Sequence, residues 1–174
     1  MLRPTLLAGA LLSVAAPLAA QSDAARMSGT WQFDSSRSDN VQQAISATVR
    51  RINVLLRGFA NARLRRTNQP YQRVVLAFAD DAVTIRTDSR PPLTLPLNGT
   101  PVDWTRPEDR ERLKVSARWE GDKLVQTFRA EDGQRVNAWS VTPDGQTLVL
   151  EVTVSSPRLP EPLRYTLRYR RVSE

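Results

Sequence analysis

Residues 115–152 read VSARWEGDKLVQTFRAEDGQRVNAWSVTPDGQTLVLEV. Apolar and polar side chains alternate along this stretch, which is interrupted at Gly121-Asp122, Asp132-Gly133 and Asp144-Gly145. Alternation with period two marks strands with one buried face, and Gly/Asp pairs at the breaks suit tight hairpins. A two-residue turn also fixes which residues face each other. Centring a turn on Gly121-Asp122 puts Trp119 opposite Leu124, Ala117 opposite Gln126 and Val115 opposite Phe128. Centring the next on Asp132-Gly133 puts Phe128 opposite Asn137, Gln126 opposite Trp139 and Leu124 opposite Val141. The third, on Asp144-Gly145, sets Val141 against Leu148, Trp139 against Leu150 and Asn137 against Val152.

One face then collects Val115, Trp119, Leu124, Phe128, Trp139, Val141, Leu148, Leu150, Val152 and Val154. The other collects Lys114, Ser116, Arg118, Thr127, Arg129, Ser140, Glu151 and Thr153. A one-residue slip would scramble that separation. Working outward, an earlier hairpin at Asp80-Asp81 sets Val74, Leu76 and Phe78 against Thr87, Ile85 and Val83, and Asn98-Gly99 offers a further tight turn. The last strand alternates Tyr165, Leu167, Tyr169 and Arg171 with Arg164, Thr166, Arg168 and Arg170. About eight to ten such strands must curl to bury their apolar face. The expected fold is mainly β: an antiparallel up-and-down barrel or half-open barrel with one long amphipathic helix inserted after the first strand. A half-open sheet wrapped round that helix is the alternative.

The helix is expected over about residues 39–67, capped by Asp39. Val41, Ile45, Thr48, Ile52, Leu55, Phe59 and Ala62 follow at three- and four-residue steps, and Gly58 is a candidate bend. This stripe has a packing use, covering one end of the barrel or one face of the sheet. The same segment carries six arginines between Val49 and Arg66. Arg50, Arg57, Arg65 and Arg66 are candidates for contact with an anionic partner, and a basic amphipathic helix can also lie on an acidic membrane.

Composition narrows function. The 174 residues contain no histidine and no cysteine. That removes the imidazole base, the Ser-His-Asp triad, the thiolate nucleophile and the ordinary zinc site. The aspartates at turns are there for local backbone reasons, and no carboxylate pair has glycosidase character. No catalytic residue, cofactor or metal is expected. The formal charge is +7, almost all of it from arginine, since the only lysines are Lys114 and Lys123.

Arg3, the apolar run Leu6–Leu18 and Ala19-Ala20 have the order of a secretory signal peptide. Residues 1–20 are therefore expected to be removed, leaving residues 21–174 as one domain in the periplasm or outside the cell. The apolar run is too short for a good membrane span. Nucleic acid is not an expected partner after export; an anionic envelope component is.

Gly29-Thr30-Trp31 on the first strand, with the terminal Tyr169-Arg170-Arg171-Val172, resembles the lipocalins and the broader calycin superfamily. That resemblance implies a barrel whose opening-strand tryptophan is covered by a late arginine. Arg171 is the expected cover for Trp31, with Arg170 the alternative. The segments GTWQFDSSRSD, SARWEGDKL and SVTPDGQTLVLEV also resemble a group of uncharacterised exported bacterial proteins.

Trp119, Gln126, Phe128, Asn137 and Trp139 share the apolar face. They either line a pocket for a small apolar or amphipathic ligand or belong to a filled core. The expected function is that of an exported, non-enzymatic ligand-binding barrel. The alternative is a structural or protein–protein interaction module with a solid core and an arginine-rich contact surface.

Overall fold

The structure, a computed structural model, describes residues 23–172. The expected export segment over residues 1–20 and the expected start at Gln21 lie outside the described residues. Ten strands follow one another: β1 (Gly29–Phe33), β2 (Arg73–Ala79), β3 (Ala82–Thr87), β4 (Leu93–Pro96), β5 (Val102–Thr105), β6 (Arg112–Glu120), β7 (Lys123–Ala130), β8 (Gly133–Val141), β9 (Thr147–Ser155) and β10 (Leu163–Arg171). Two helices, α1 (Val41–Val49) and α2 (Val54–Thr67), lie between β1 and β2. The sheet order is β4-β3-β2-β1-β10-β9-β8-β7-β6-β5, with every ladder antiparallel. β10 returns to pair with β1, so the sheet curls into a nearly closed barrel.

The seam falls between β4 and β5. Asn98-Gly99 joins them, yet no ladder does; Asn98 instead makes a lone bridge to Arg118 on β6. The expected hairpin at Asn98-Gly99 is therefore a connection across the seam. Pro91, Pro92, Pro96, Pro101 and Pro107 crowd this part of the chain, and a proline has no N–H to give a ladder.

The hairpins at Gly121-Asp122 and Asp144-Gly145 have the expected partners, including Trp119 with Leu124, Val115 with Phe128 and Trp139 with Leu150. The middle hairpin differs. It turns on Glu131-Asp132, so Ala130 faces Gly133, Phe128 faces Arg135, Gln126 faces Asn137 and Leu124 faces Trp139. The offset is two residues, and an even offset leaves every side chain on its expected face. Gly133 opens β8 so close to β9 that a Cβ there would meet the Ser155 carbonyl at 2.8 Å. Leu124, Trp139, Leu148, Leu150, Leu167 and Tyr169 are fully buried inside the barrel.

The long helix is two. α1 ends at Val49, and α2 starts after Asn53, whose side chain accepts from Leu55 N at 3.0 Å. The Arg57 guanidinium donates to the carbonyls of Arg50 (2.8 Å) and Ile52 (3.2 Å), which satisfies groups left open where α1 stops. The break, and not Gly58, resets the helical phase. Ile52 stays buried, but Leu55 is 90% and Phe59 70% exposed. The inner face of α2 carries Leu64 and Thr67 instead. The helices lie across one end of the barrel and do not thread it, which removes the wrapped-sheet alternative. Asn40, not Asp39, caps α1; the Asp39 carboxylate accepts from Thr166 N at 2.7 Å and ties the helix entry to β10.

The opposite end is sealed by residues 23–27, which are helical, with Met27 buried. Trp31 Nε1 donates to Met27 O at 2.9 Å. Arg171 stands opposite Trp31, its guanidinium 4.1 Å from the ring centroid, and donates to the carbonyls of Gly145 (2.9 Å), Ser28 (2.9 Å) and Arg26. Gly29, at φ +123°, leaves the room: a Cβ there would sit 3.0 Å from Arg171 Nη1.

Candidate functional site

The helix-capped end holds a cavity of about 220 Å³. Leu56, Phe59 and Leu64 of α2 form one side. Trp104, Leu113, Phe128 and Val154 from the strands and Leu159 from the β9–β10 connection form the other. A second, far smaller space of about 20 Å³ lies deeper, lined by Tyr71, Thr87, Arg90, Trp104, Gln126, Phe128 and Trp139. That is room for a single water. Thr87 Oγ1 and Trp139 Nε1 have no protein hydrogen-bond partner among the described residues. The barrel is thus packed at the level of Trp139, and the wider space opens at its mouth.

The five residues expected to form one pocket are distributed along the barrel. Phe128 lines both spaces, and Gln126 and Trp139 line the deeper one. Asn137 lies behind them, its Nδ2 donating to Gln126 Oε1 at 3.1 Å. Trp119 sits by the hairpin ends, stacked on Phe78 with ring centroids 5.8 Å apart, and lines neither space.

The mouth is rich in arginine. Arg106 holds Asp109 through two bonds, Nε to Oδ1 at 2.8 Å and Nη2 to Oδ2 at 2.7 Å, and also pairs with Glu111. These hydrogen bonds hold the Asp109 carboxyl below its ordinary pKa. Arg63 reaches Glu111 at 2.8 Å, and Arg90 reaches Glu108 at 2.6 Å while lying over the rings of Tyr71 and Trp104.

Arg135 is different. Its Nε donates to Asn137 Oδ1 at 2.8 Å, and its Nη1 to Thr67 O at 3.2 Å and Asn68 Oδ1 at 3.3 Å. Asn68 Oδ1 also accepts from the buried Tyr165 hydroxyl at 3.1 Å. Arg135 lines the mouth cavity, yet no carboxylate pairs with it among the described residues. A half-buried guanidinium with only neutral partners favours a carboxylate or phosphate as a further partner. Arg135 was legible by alternation, two residues before Asn137 and four before Trp139, but a search for apolar pocket walls passes over it. Trp104 was not legible, because it lies in the proline-rich stretch with no clear period.

Of the arginines proposed for anion contact, Arg57 is engaged with backbone carbonyls. Arg65 is exposed and bonds Asn61 Oδ1 at 3.0 Å. Arg50 and Arg66 are exposed. No group of acidic, histidine or cysteine side chains that could hold a metal occurs among the described residues, and no helix there is long and apolar enough to cross a membrane.

A ten-stranded, nearly closed antiparallel barrel with a helix-turn-helix after its first strand is the fold of solved fatty-acid-binding proteins. Solved structures with this fold include the REP1-NXSQ fatty acid transporter, at 17% identity and TM-score 0.56, covering 86% of this chain and 98% of its own. A Schistosoma mansoni fatty acid binding protein in complex with arachidonic acid matches at 18% identity and TM-score 0.55, covering 87% of this chain and 99% of its own. Human cRBP IV matches at 20% identity and TM-score 0.51, covering 84% and 98%. No protein-family model matches the chain. No curated protein matches it by sequence.

Proposed function

We propose that the chain is a non-enzymatic carrier, exported to the cell envelope, that holds one amphipathic anion at the barrel mouth. The acidic head sits on Arg135 and the apolar tail lies against Leu64, Leu113 and Phe128. The observation that carries this reading is that, of the five arginines lining the mouth cavity, Arg63, Arg90, Arg106 and Arg158 each pair with a carboxylate, whereas among the described residues Arg135 bonds only neutral groups. The fatty acids named for two of the similar structures have the same chemistry, a carboxylate on a long apolar tail. The cavity of about 220 Å³ is below the roughly 300–1,000 Å³ of most small-molecule sites, so a long tail requires side chains of α2 to yield. Export is supported by the order of charge, apolar run and small residues over residues 1–20.

Native mass spectrometry of the full chain, expressed in an exporting bacterium and recovered from its envelope fraction, tests both parts. The expected species has lost about 20 residues and retains a small organic acid. Arg135→Gln should weaken binding of a fluorescent fatty acid by about tenfold or more, the usual worth of a hydrogen bond to a charged group. An uncleaved chain in the cytoplasm overturns the export reading. A chain that retains nothing and binds no fatty acid favours the interaction-module reading, which draws on the packed barrel at Trp139 and the exposed face of α2.

A further inference from the structure

We propose that the outer face of β3, β2, β1 and β10 binds a linear acidic polysaccharide. The five consecutive strands β4, β3, β2, β1 and β10 carry Arg73, Arg86, Arg164, Arg168, Arg170 and Arg171 and no aspartate or glutamate. Arg171 turns inward over Trp31, and the other five point out of the barrel. Register sets their spacing. Arg73 and Arg170 both stand opposite Gln32, which puts them two strands apart, roughly 10 Å. Arg86 stands opposite Val75, diagonal to Arg73 at roughly 7–8 Å.

The other half of the barrel treats charge differently. There the acidic strand residues Asp103, Glu120 and Glu151 are each paired on the outside, with Lys114 at 2.8 Å, Arg118 and Lys123. On the basic half, Arg73 and Arg86 pair with no carboxylate among the described residues, and Arg170 reaches Asp34 only at 3.6 Å. Asp39 and Asp88 border this face, but their carboxylates accept from backbone N–H groups, of Thr166 at 2.7 Å and of Gln72 and Arg73 at 2.9 and 3.2 Å.

These surroundings identify the occupant. Exposed arginines left without carboxylates attract a polyanion. A protein interface is built round an apolar core, and the only large apolar side chain exposed on this face among the described residues is Val172 at its edge. Single-stranded nucleic acid is held by aromatic stacking as well as charge, and the rings of Trp31, Tyr165 and Tyr169 are buried. An acidic polysaccharide needs neither device. It offers carboxylates to the arginines and hydroxyls to Gln32, Thr84 and Thr94, which lie on the same face. None of this requires the mouth cavity or Arg135.

Titrating the protein into fluorescently labelled polygalacturonate, read by anisotropy, tests the proposal. Binding is expected, should weaken as salt rises, and should be absent for neutral dextran. Arg73→Gln/Arg86→Gln/Arg170→Gln should weaken it on the order of tenfold, at up to about fivefold per exposed arginine. All three positions are exposed, so the unfolding midpoint and fatty-acid affinity should not move. Arg50→Gln/Arg65→Gln/Arg66→Gln removes the same charge from the helices and should leave polygalacturonate binding within about twofold of the parent. Absence of binding, or equal losses in the two triple variants, would overturn the assignment of this face. Tighter binding of single-stranded DNA through Arg73, Arg86 and Arg170 would overturn the choice of occupant.

Discussion

The β6–β9 meander and the α1–α2 segment carry comparably regular apolar patterns, yet only one pattern became a buried face. In the meander, the middle hairpin turned one residue before its expected centre, which offset its strand pairing by two, and every side chain still reached its expected side. In the helices, the interruption at residues 50–53 threw Leu55 and Phe59 from the core to the solvent. The reason is geometric. A strand has two faces and tolerates any even slip, whereas a helix turns about 100° per residue, so a short break rotates everything after it. Strand patterns therefore report faces robustly. Helical patterns do so only when the helix is continuous.

The sharpest way to break this comparison uses one substitution at two places. Leu150 in β9 is fully buried and Leu55 in α2 is 90% exposed. Leu150→Ala should cost about 2–5 kcal/mol through lost transfer energy and an unfilled cavity. Leu55→Ala should fall within about 0.5 kcal/mol of the parent. Denaturant unfolding followed by tryptophan emission measures both. A comparable loss at Leu55 would mean that α2 lies with its other face inward.

The sequence made the fold class legible because Trp119/Leu124 and Trp139/Leu150 are paired by short turns, and short turns leave little freedom in register. That an arginine covers Trp31 was implied by the lipocalin resemblance alone; alternation then favoured Arg171 over Arg170, because Arg171 shares a strand face with Tyr165 and Tyr169, and Arg171 is the one that stands over the ring. The site was less legible. Whether Trp139 lined a hollow or filled one depends on how side chains from β2, β3 and β10 meet it, and alternation within one meander says nothing of that. Arg135 fell on the inner face by the same alternation that placed Asn137. Its meaning came only when Thr67 and Asn68, some 67 residues away, proved to be its neighbours.

A gentler test sharpens the contrast between the helices and the barrel. The Asn53 side chain caps α2, and its loss leaves Leu55 N without that partner. Asn53→Ala should cost about 1 kcal/mol, felt by α2 more than by the strands. Hydrogen exchange should show α2 amides opening several-fold more readily, while β7, β8 and β9 keep their protection. Uniform loss of protection would mean that α2 and the barrel unfold as one unit.

The smallest effect separates the two ends of the barrel by acid. At the sealed end Arg171 is held by three carbonyls, none of which titrates. At the mouth Arg106 is held by Asp109 and Glu111, and Arg63 shares Glu111. The Asp109 carboxyl is lowered chiefly by its hydrogen bonds to Arg106. A carboxyl depressed in the folded state contributes stability in full above its unfolded pKa and loses it as pH falls through the folded value. Below about pH 4 the connection over residues 106–111 should therefore loosen before the Trp31–Arg171 contact does. Exchange rates of the two ends, measured along a pH series, test this. Asp109→Asn should already show the looser connection at neutral pH and respond less to acid, because the charge that protonation removes is gone from the start. If the sealed end loosened first, the arginine–carboxylate cluster would not be what holds the mouth.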